Sequence, residues 1–289
     1  MSGQSGAINP EALGGPDPHA WRPYPLPDTG TAETIRLLRA MRPEVPELLV
    51  ALPPGYAAGT ERFAVAYLQD GQNLFDPATA HTEPWGLVEG LNALAAEGVR
   101  LIVVGIPNRG RRRRFDYSPF RDIIHGGGAG ERYLAGVVDR VRPLINRTFR
   151  TRAAPADTLI AGSSLGGLIS LYALARYPEV FGAAGVLSPA LWFAHRAMFG
   201  WLERHPLPAG GRLHLDVGTG EGVDTVADVR ALRDQLIAAG YAEGERLSYV
   251  EERDAGHKEA AWGRRFRAAL PFLLGLSGPP PERGSMTGA

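Results

Sequence analysis

Leu159-Ile160-Ala161-Gly162-Ser163-Ser164-Leu165-Gly166-Gly167 joins an apolar run to a G-x-S-x-G turn, and the turn to the stripe Leu168, Leu171, Tyr172 and Ala175. Residues spaced i, i+3, i+4 and i+7 share one helix face, so the turn sits between a buried strand and a helix that Pro178 closes. A side chain lifted above a strand end at such a turn needs a strained backbone, and flanking glycines remove the side chains that would clash there. The Ser164 hydroxyl is thereby aimed at a helix N-terminus, where amides and the helix dipole favour an oxyanion. The same residues fit a plain β–α turn with Ser164 as an N-cap, but a strand before and a helix after favour a nucleophile.

The rest of the chain repeats this alternation. Short apolar runs at 34–40, 47–52, 63–68, 99–106, 158–161, 183–187, 213–217 and 247–251 read as eight strands. Helical stripes lie between them: Leu134, Val137, Val138 and Val141; Val229, Leu232 and Leu236; Trp262, Phe266, Ala269 and Leu273. Strands that alternate with helices predict an α/β fold, a mostly parallel sheet covered on both faces. Residues 1–33, rich in Gly, Pro and Ala, read as an irregular N-terminal arm, 34–276 as one catalytic domain, and 277–289 as a disordered tail.

Composition narrows the function. The 289 residues are 44% hydrophobic, enough for a large core. Basic and acidic residues number 31 each, so no net field draws the chain to nucleic acid or an anionic membrane. All the basic residues but Lys258 are arginine, a composition bias rather than a binding surface. With no cysteine, disulfides, thiolate nucleophiles and Cys–metal sites are excluded. No signal peptide and no apolar run of about 20 residues is visible, which predicts a soluble cytoplasmic protein. The histidine spacing gives no metal site, and no cofactor is expected.

A serine nucleophile needs a base and an acid, in the chain order Ser, acid, His. His257, in Asp254-Ala255-Gly256-His257, follows the last strand and opens the last helix, where a loop can bring an imidazole over Ser164. His214 lies inside a strand and reads as packed. The acid belongs after the penultimate strand, in Asp216-Val217-Gly218-Thr219-Gly220-Glu221-Gly222-Val223-Asp224. Glu221 is in the loop past the strand end. Asp224 reads as the N-cap of a helix beginning near Val226, and Asp216 as a buried structural carboxylate, but both stay open as the acid. For the oxyanion hole, the amide of Leu165 needs a partner from Asp70-Gly71-Gln72-Asn73, with Gln72 preferred and Asn73 the alternative.

Trp192, Arg114 and Asn73 are the candidate substrate contacts. Arg114 belongs to the run 109–114, placed where ligands bind in α/β sheets and suited to an anionic group. Trp192, Phe193, Trp85 and Trp262 offer aromatic walls, although Trp262 falls on a core stripe.

Asp70-Gly71-Gln72-Asn73-Leu74-Phe75, Asp116-Tyr117-Ser118-Pro119-Phe120, the Gly162–Gly167 turn, Leu187-Ser188-Pro189-Ala190-Leu191-Trp192 and Gly256-His257 together resemble the Putative esterase family of α/β-hydrolases. That family includes enterochelin (ferric siderophore) esterases, feruloyl and acetyl-xylan esterases, esterase D-like S-formylglutathione hydrolases and mycolyltransferases. The resemblance runs from about residue 34 to 274 and is nearest to the siderophore-esterase branch. It implies an α/β-hydrolase fold, a Ser164–His257 pair with an acid at or near Glu221, and a small-molecule ester as substrate. An acyltransferase on the same site, or a binding protein that keeps the fold without catalysis, are the rival readings.

Overall fold

The alternating runs become strands wherever they are buried on both faces. A computed structural model describes residues 21–24, 36–42 and 45–276. The strands are β1 (Trp21–Pro23), β2 (Arg36–Arg42), β3 (Val45–Leu52), β4 (Ala64–Gln69), β5 (Leu101–Ile106), β6 (Arg121–Asp122), β7 (Gly126–Gly127), β8 (Thr158–Ser163), β9 (Ala183–Leu187), β10 (Arg212–Gly218) and β11 (Leu247–Glu252). The helices are α1 (Leu87–Ala96), α2 (Arg113–Asp116), α3 (Gly130–Gly136), α4 (Arg142–Thr148), α5 (Leu165–Arg176), α6 (Phe193–Arg204), α7 (Val223–Ala238) and α8 (Glu259–Leu273).

Nine strands form one sheet in the order β1-β2-β3-β5-β4-β8-β9-β10-β11, and β6 pairs with β7 in a separate ribbon. The expected count of eight is therefore short by one. Trp21–Pro23, inside the stretch read as an irregular arm, pairs antiparallel with β2 as the edge strand. A three-residue strand carries too little periodicity to read, and it is held by Trp21, 5% exposed, packed edge-on against Phe149. The rest of the arm and the 277–289 tail lie outside the described residues.

From β5 to β11 all neighbours are parallel, while β1, β2 and β3 run antiparallel to theirs. The central strands β4, β5, β8 and β9 are buried along their whole length, as helices on both faces require. One face packs on α1 and α8 through Leu91, Trp262 and Phe266; the other carries Leu134, Leu168 and Val229. The strand period of two splits β10 between these faces. Leu213, Leu215 and Val217 join the second core, so His214 and Asp216 point to the α8 side.

The chain reverses its winding between β4 and β8, the place where α/β sheets open a crevice for ligands. Leu68 pairs with Ala161 across that junction, so the loops after β4 and β8 leave the sheet side by side.

Candidate active site

Ser164 stands at the β8–α5 turn with φ 57° and ψ −121°, a conformation that costs a non-glycine residue roughly 1–3 kcal/mol. The surroundings hold it there. Its N–H donates to the Leu187 carbonyl at 2.9 Å, and its own carbonyl accepts from Leu168 and Ala190, each at 3.0 Å. The glycines of the motif are required by contact rather than by freedom. A Cβ at Gly162 would lie 2.7 Å from the Gly166 carbonyl carbon and 2.9 Å from Gln69 Cβ. One at Gly166 would meet the same Gln69 Cβ at 3.0 Å.

The loop after β4 is pinned beneath. Gly71 packs so tightly on β5 that a Cβ there would lie 2.5 Å from the Gly105 carbonyl carbon. Asp70, 3% exposed, has left-handed backbone (φ 53°), and its N–H donates to the Tyr117 hydroxyl at 2.9 Å. Its carboxylate accepts two bonds from Arg113, both at 2.8 Å, and one from Asn108 Nδ2 at 2.7 Å. Asn108 N–H in turn donates to Gln72 Oε1 at 3.0 Å. Among the described residues, the backbone N–H groups of Gln72 and Leu165 have no backbone acceptor. The alternative donor, Asn73, is engaged: its N–H donates to the Asp70 carbonyl at 2.8 Å. Its side chain is buried, and its Oδ1 accepts from His81 N–H at 3.1 Å.

Glu221 ends a 3₁₀ turn (Thr219–Glu221) after β10, and its side chain is fully buried. His257, on the β11–α8 loop, is 44% exposed and donates from Nδ1 to Glu221 Oε2 at 2.7 Å. The two loops are zipped together: Gly220 N–H donates to the Ala255 carbonyl at 2.9 Å, and Asp254 N–H to Thr219 Oγ at 2.8 Å. A Cβ at Gly218 would lie 2.2 Å from that Ala255 oxygen, which explains the glycines of this loop. Burial pushes the Glu221 pKa up, but hydrogen bonds from His257, Ser188 and Gly218 outweigh it and hold the carboxyl below its ordinary value. Ring packing steadies His257, whose imidazole stands edge-on to Trp262 with centroids 4.7 Å apart.

The other acid candidates lie elsewhere. Asp216 is fully buried and pairs with His214 Nε2 at 3.0 Å and Arg265 Nε at 3.1 Å. Asp224 is exposed in the first turn of α7, which begins at Val223 and has Gly222 as its N-cap, so Asp224 is not the cap the sequence suggested.

Of the arginine run, Arg109 grips Asp116 through two bonds (2.9 and 2.7 Å) and Arg113 grips Asp70. Both brace the loop. Arg114 is exposed, with no ion pair among the described residues. Trp85 and Phe193 are buried in the core, as is Trp262. Trp192 is 50% exposed and stands edge-on to His125, 5.2 Å away, on the loop whose Ala190 N–H binds Ser164.

Sequence reasoning passed over Ser188 and Arg265, which surround Glu221. A signal was present: Arg265 lies three residues after Trp262, on the apolar stripe of α8, where an arginine demands a buried partner.

The profile of the family described as Putative esterase matches residues 41–273. The chain belongs to that family. It is an ester hydrolase with an α/β-hydrolase fold. The chain is 26% identical over 236 residues to the uncharacterised protein YbbA of Bacillus subtilis, covering 78% of this chain and 90% of that one. It is 28% identical over 256 residues to the iron(III) salmochelin esterase of Escherichia coli, covering 82% of this chain and 54% of the relative. Among solved structures, siderophore hydrolase EstA from Aspergillus nidulans superposes with a TM-score of 0.66 at 22% identity, covering 88% of this chain and 98% of that one. No helix among the described residues is long and apolar enough to cross a membrane.

Proposed function

We propose that this esterase is a serine hydrolase that cleaves small-molecule carboxylic esters through an acyl-enzyme. Ser164 Oγ attacks the ester carbonyl carbon while His257 Nε2 takes its proton. The C–O bond to the alcohol then breaks, and His257 returns the proton to the departing alkoxide. Water, deprotonated by His257, next attacks the acyl carbon, and Ser164 leaves with the proton restored. Glu221 holds His257 Nδ1–H and stabilises the imidazolium. The amides of Leu165 and Gln72 carry the charge of each tetrahedral intermediate. The observation that carries this reading is the 2.7 Å bond from His257 Nδ1 to the fully buried Glu221, whose carboxyl is held below its ordinary pKa, taken together with a serine at a strained strand-to-helix turn. Trp192 and Arg114 are proposed to contact substrate from the open side. The relatives' names point to siderophore esters as the substrates to try first.

The test is hydrolysis of p-nitrophenyl acetate and labelling by a fluorophosphonate probe, in wild type and Ser164→Ala. The variant should lose on the order of 10⁴- to 10⁶-fold in kcat and all labelling. A Ser164→Ala protein with most of its activity refutes the mechanism.

A further inference from the structure

We propose that Ser188, clamped between Trp262 and Arg265, is a positioning residue that sets which ring nitrogen of His257 carries the proton. The inference rests on the reading of Ser164, Glu221 and His257 as a catalytic triad, and it reaches three residues outside that triad.

The argument is one of donors and acceptors. An indole N–H and a guanidinium can only donate, whereas a hydroxyl has one proton to give and two lone pairs to receive. Trp262 Nε1 donates to Ser188 Oγ at 2.9 Å, and Arg265 Nη2 donates to the same oxygen at 2.8 Å. Both lone pairs are then taken. The single proton of Ser188 goes to its third partner, Glu221 Oε1, at 2.6 Å. Gly218 N–H donates to that carboxylate oxygen as well, at 2.8 Å. An oxygen receiving two such donors has no room for an acid proton. With the Arg265 guanidinium 3.5 Å from that oxygen as well, these donors favour the ionised carboxylate, whose Oε2 accepts only if Nδ1 carries the hydrogen. The lone pair is left on Nε2, the nitrogen a general base needs.

The clamp is built, not incidental. Ser188 has left-handed backbone (φ 41°), and its N–H is held by the Asp216 carbonyl at 3.0 Å and by Asp216 Oδ1 at 3.1 Å. Arg265 is 5% exposed, and its charge is shared among three carboxylates: Asp216 Oδ1 at 3.1 Å, Glu252 Oε2 at 3.4 Å and Glu221 Oε1 at 3.5 Å. Glu252 is also paired with Arg264, and Asp216 with His214. Arg265 is thus committed to the back of the site and unavailable to substrate. Trp262 serves twice, since its ring packs edge-on against the imidazole whose tautomer its N–H helps to fix.

The experiment compares wild type, Ser188→Ala, Trp262→Phe and Ser164→Ala as full-length proteins. It reads kcat and KM on p-nitrophenyl acetate, thermal unfolding, and the ¹⁵N shifts of the His257 ring. In wild type the ring should show the Nδ1–H tautomer. In Ser188→Ala, kcat should fall roughly tenfold or more with KM changed less than about twofold, and the ring should move to mixed tautomers. Trp262→Phe, which removes the N–H donor and keeps an aromatic ring, should move both readouts the same way by less, and it stands in if Ser188→Ala does not fold. Wild-type kcat with an unchanged tautomer in the folded variants overturns the proposal. So does a loss of activity that follows unfolding alone while the tautomer stays put. An inactive Ser164→Ala beside normal Ser188→Ala and Trp262→Phe sinks only this inference; an active Ser164→Ala sinks the triad itself.

Discussion

Replacing Glu221 by Gln keeps the shape of the side chain but removes its charge and turns one acceptor oxygen into an NH₂ donor, and the hydrogen bonds around it state what must follow. With the amide oxygen left at the Oε1 position, Ser188 and Gly218 keep their acceptor. The NH₂ group then faces His257 Nδ1 across 2.7 Å and forces that nitrogen to accept, which places the ring proton on Nε2, the nitrogen the proposed mechanism needs free. The base is lost. Turning the amide over restores the correct tautomer, but it sets NH₂ against Gly218 N–H and against a hydroxyl whose lone pairs are already filled. Each buried donor left without an acceptor costs about 1–3 kcal/mol, so two cost about 2–6 kcal/mol. At about 1.4 kcal/mol per factor of ten, kcat should drop by roughly 30-fold to 2 × 10⁴-fold. KM for p-nitrophenyl acetate should hold, because Glu221 is buried behind His257 and touches no substrate. The assay is steady-state hydrolysis at pH 8 with thermal unfolding as the control for folding. A folded Glu221→Gln protein that retains a fifth or more of wild-type kcat, or that changes KM alone, refutes the reasoning.

Three further outcomes follow from the same geometry. Gly218→Ala should push the acid loop away from Ala255 and cut kcat sharply, whereas Gly256→Ala, with nothing near its Cβ, should keep near-normal kinetics; equal activities would refute this. Arg113→Met leaves the buried Asp70 carboxylate with Asn108 alone, and should destabilise the protein by about 2 kcal/mol or more in urea titration while lowering kcat through the Gln72 loop. Because the Glu221 pKa is lower in the folded state, its contribution to stability is complete above the ordinary glutamate value of 4.5 and disappears as pH falls through the folded value. Wild type should therefore lose stability more steeply than Glu221→Gln on acidification below pH 4.5, and parallel urea midpoints for the two proteins would contradict it.

The family match over residues 41–273 sets the class of reaction as ester hydrolysis. Trp192, on the loop before α6, and Arg114, in the short helix α2, are both exposed, so substitutions there should alter ester preference before they alter stability.

Local patterns were legible because they depend on neighbours a few residues apart. The parallel α/β layering follows from apolar runs of strand length between helical stripes, and the Gly162–Gly167 turn announces itself through glycines no other residue could replace. The loop positions of Glu221 and His257 follow from chain order. Chance spacing hid the rest. Trp21–Pro23 is a strand only because β2 offers it an edge, which no three-residue pattern reveals. Asn73 and Gln72 are adjacent and chemically alike, yet the chain path commits one amide to Asp70 and leaves the other without a backbone acceptor. Two arginines of one run are consumed by Asp70 and Asp116, a choice made by the fold rather than by their spacing. Most of all, Ser188, Glu221, Trp262 and Arg265 come from three separate stretches of chain. Hydrogen-bond satisfaction is a property of all partners at once, so the state of the Glu221 carboxylate was decided where β9, β10 and α8 meet.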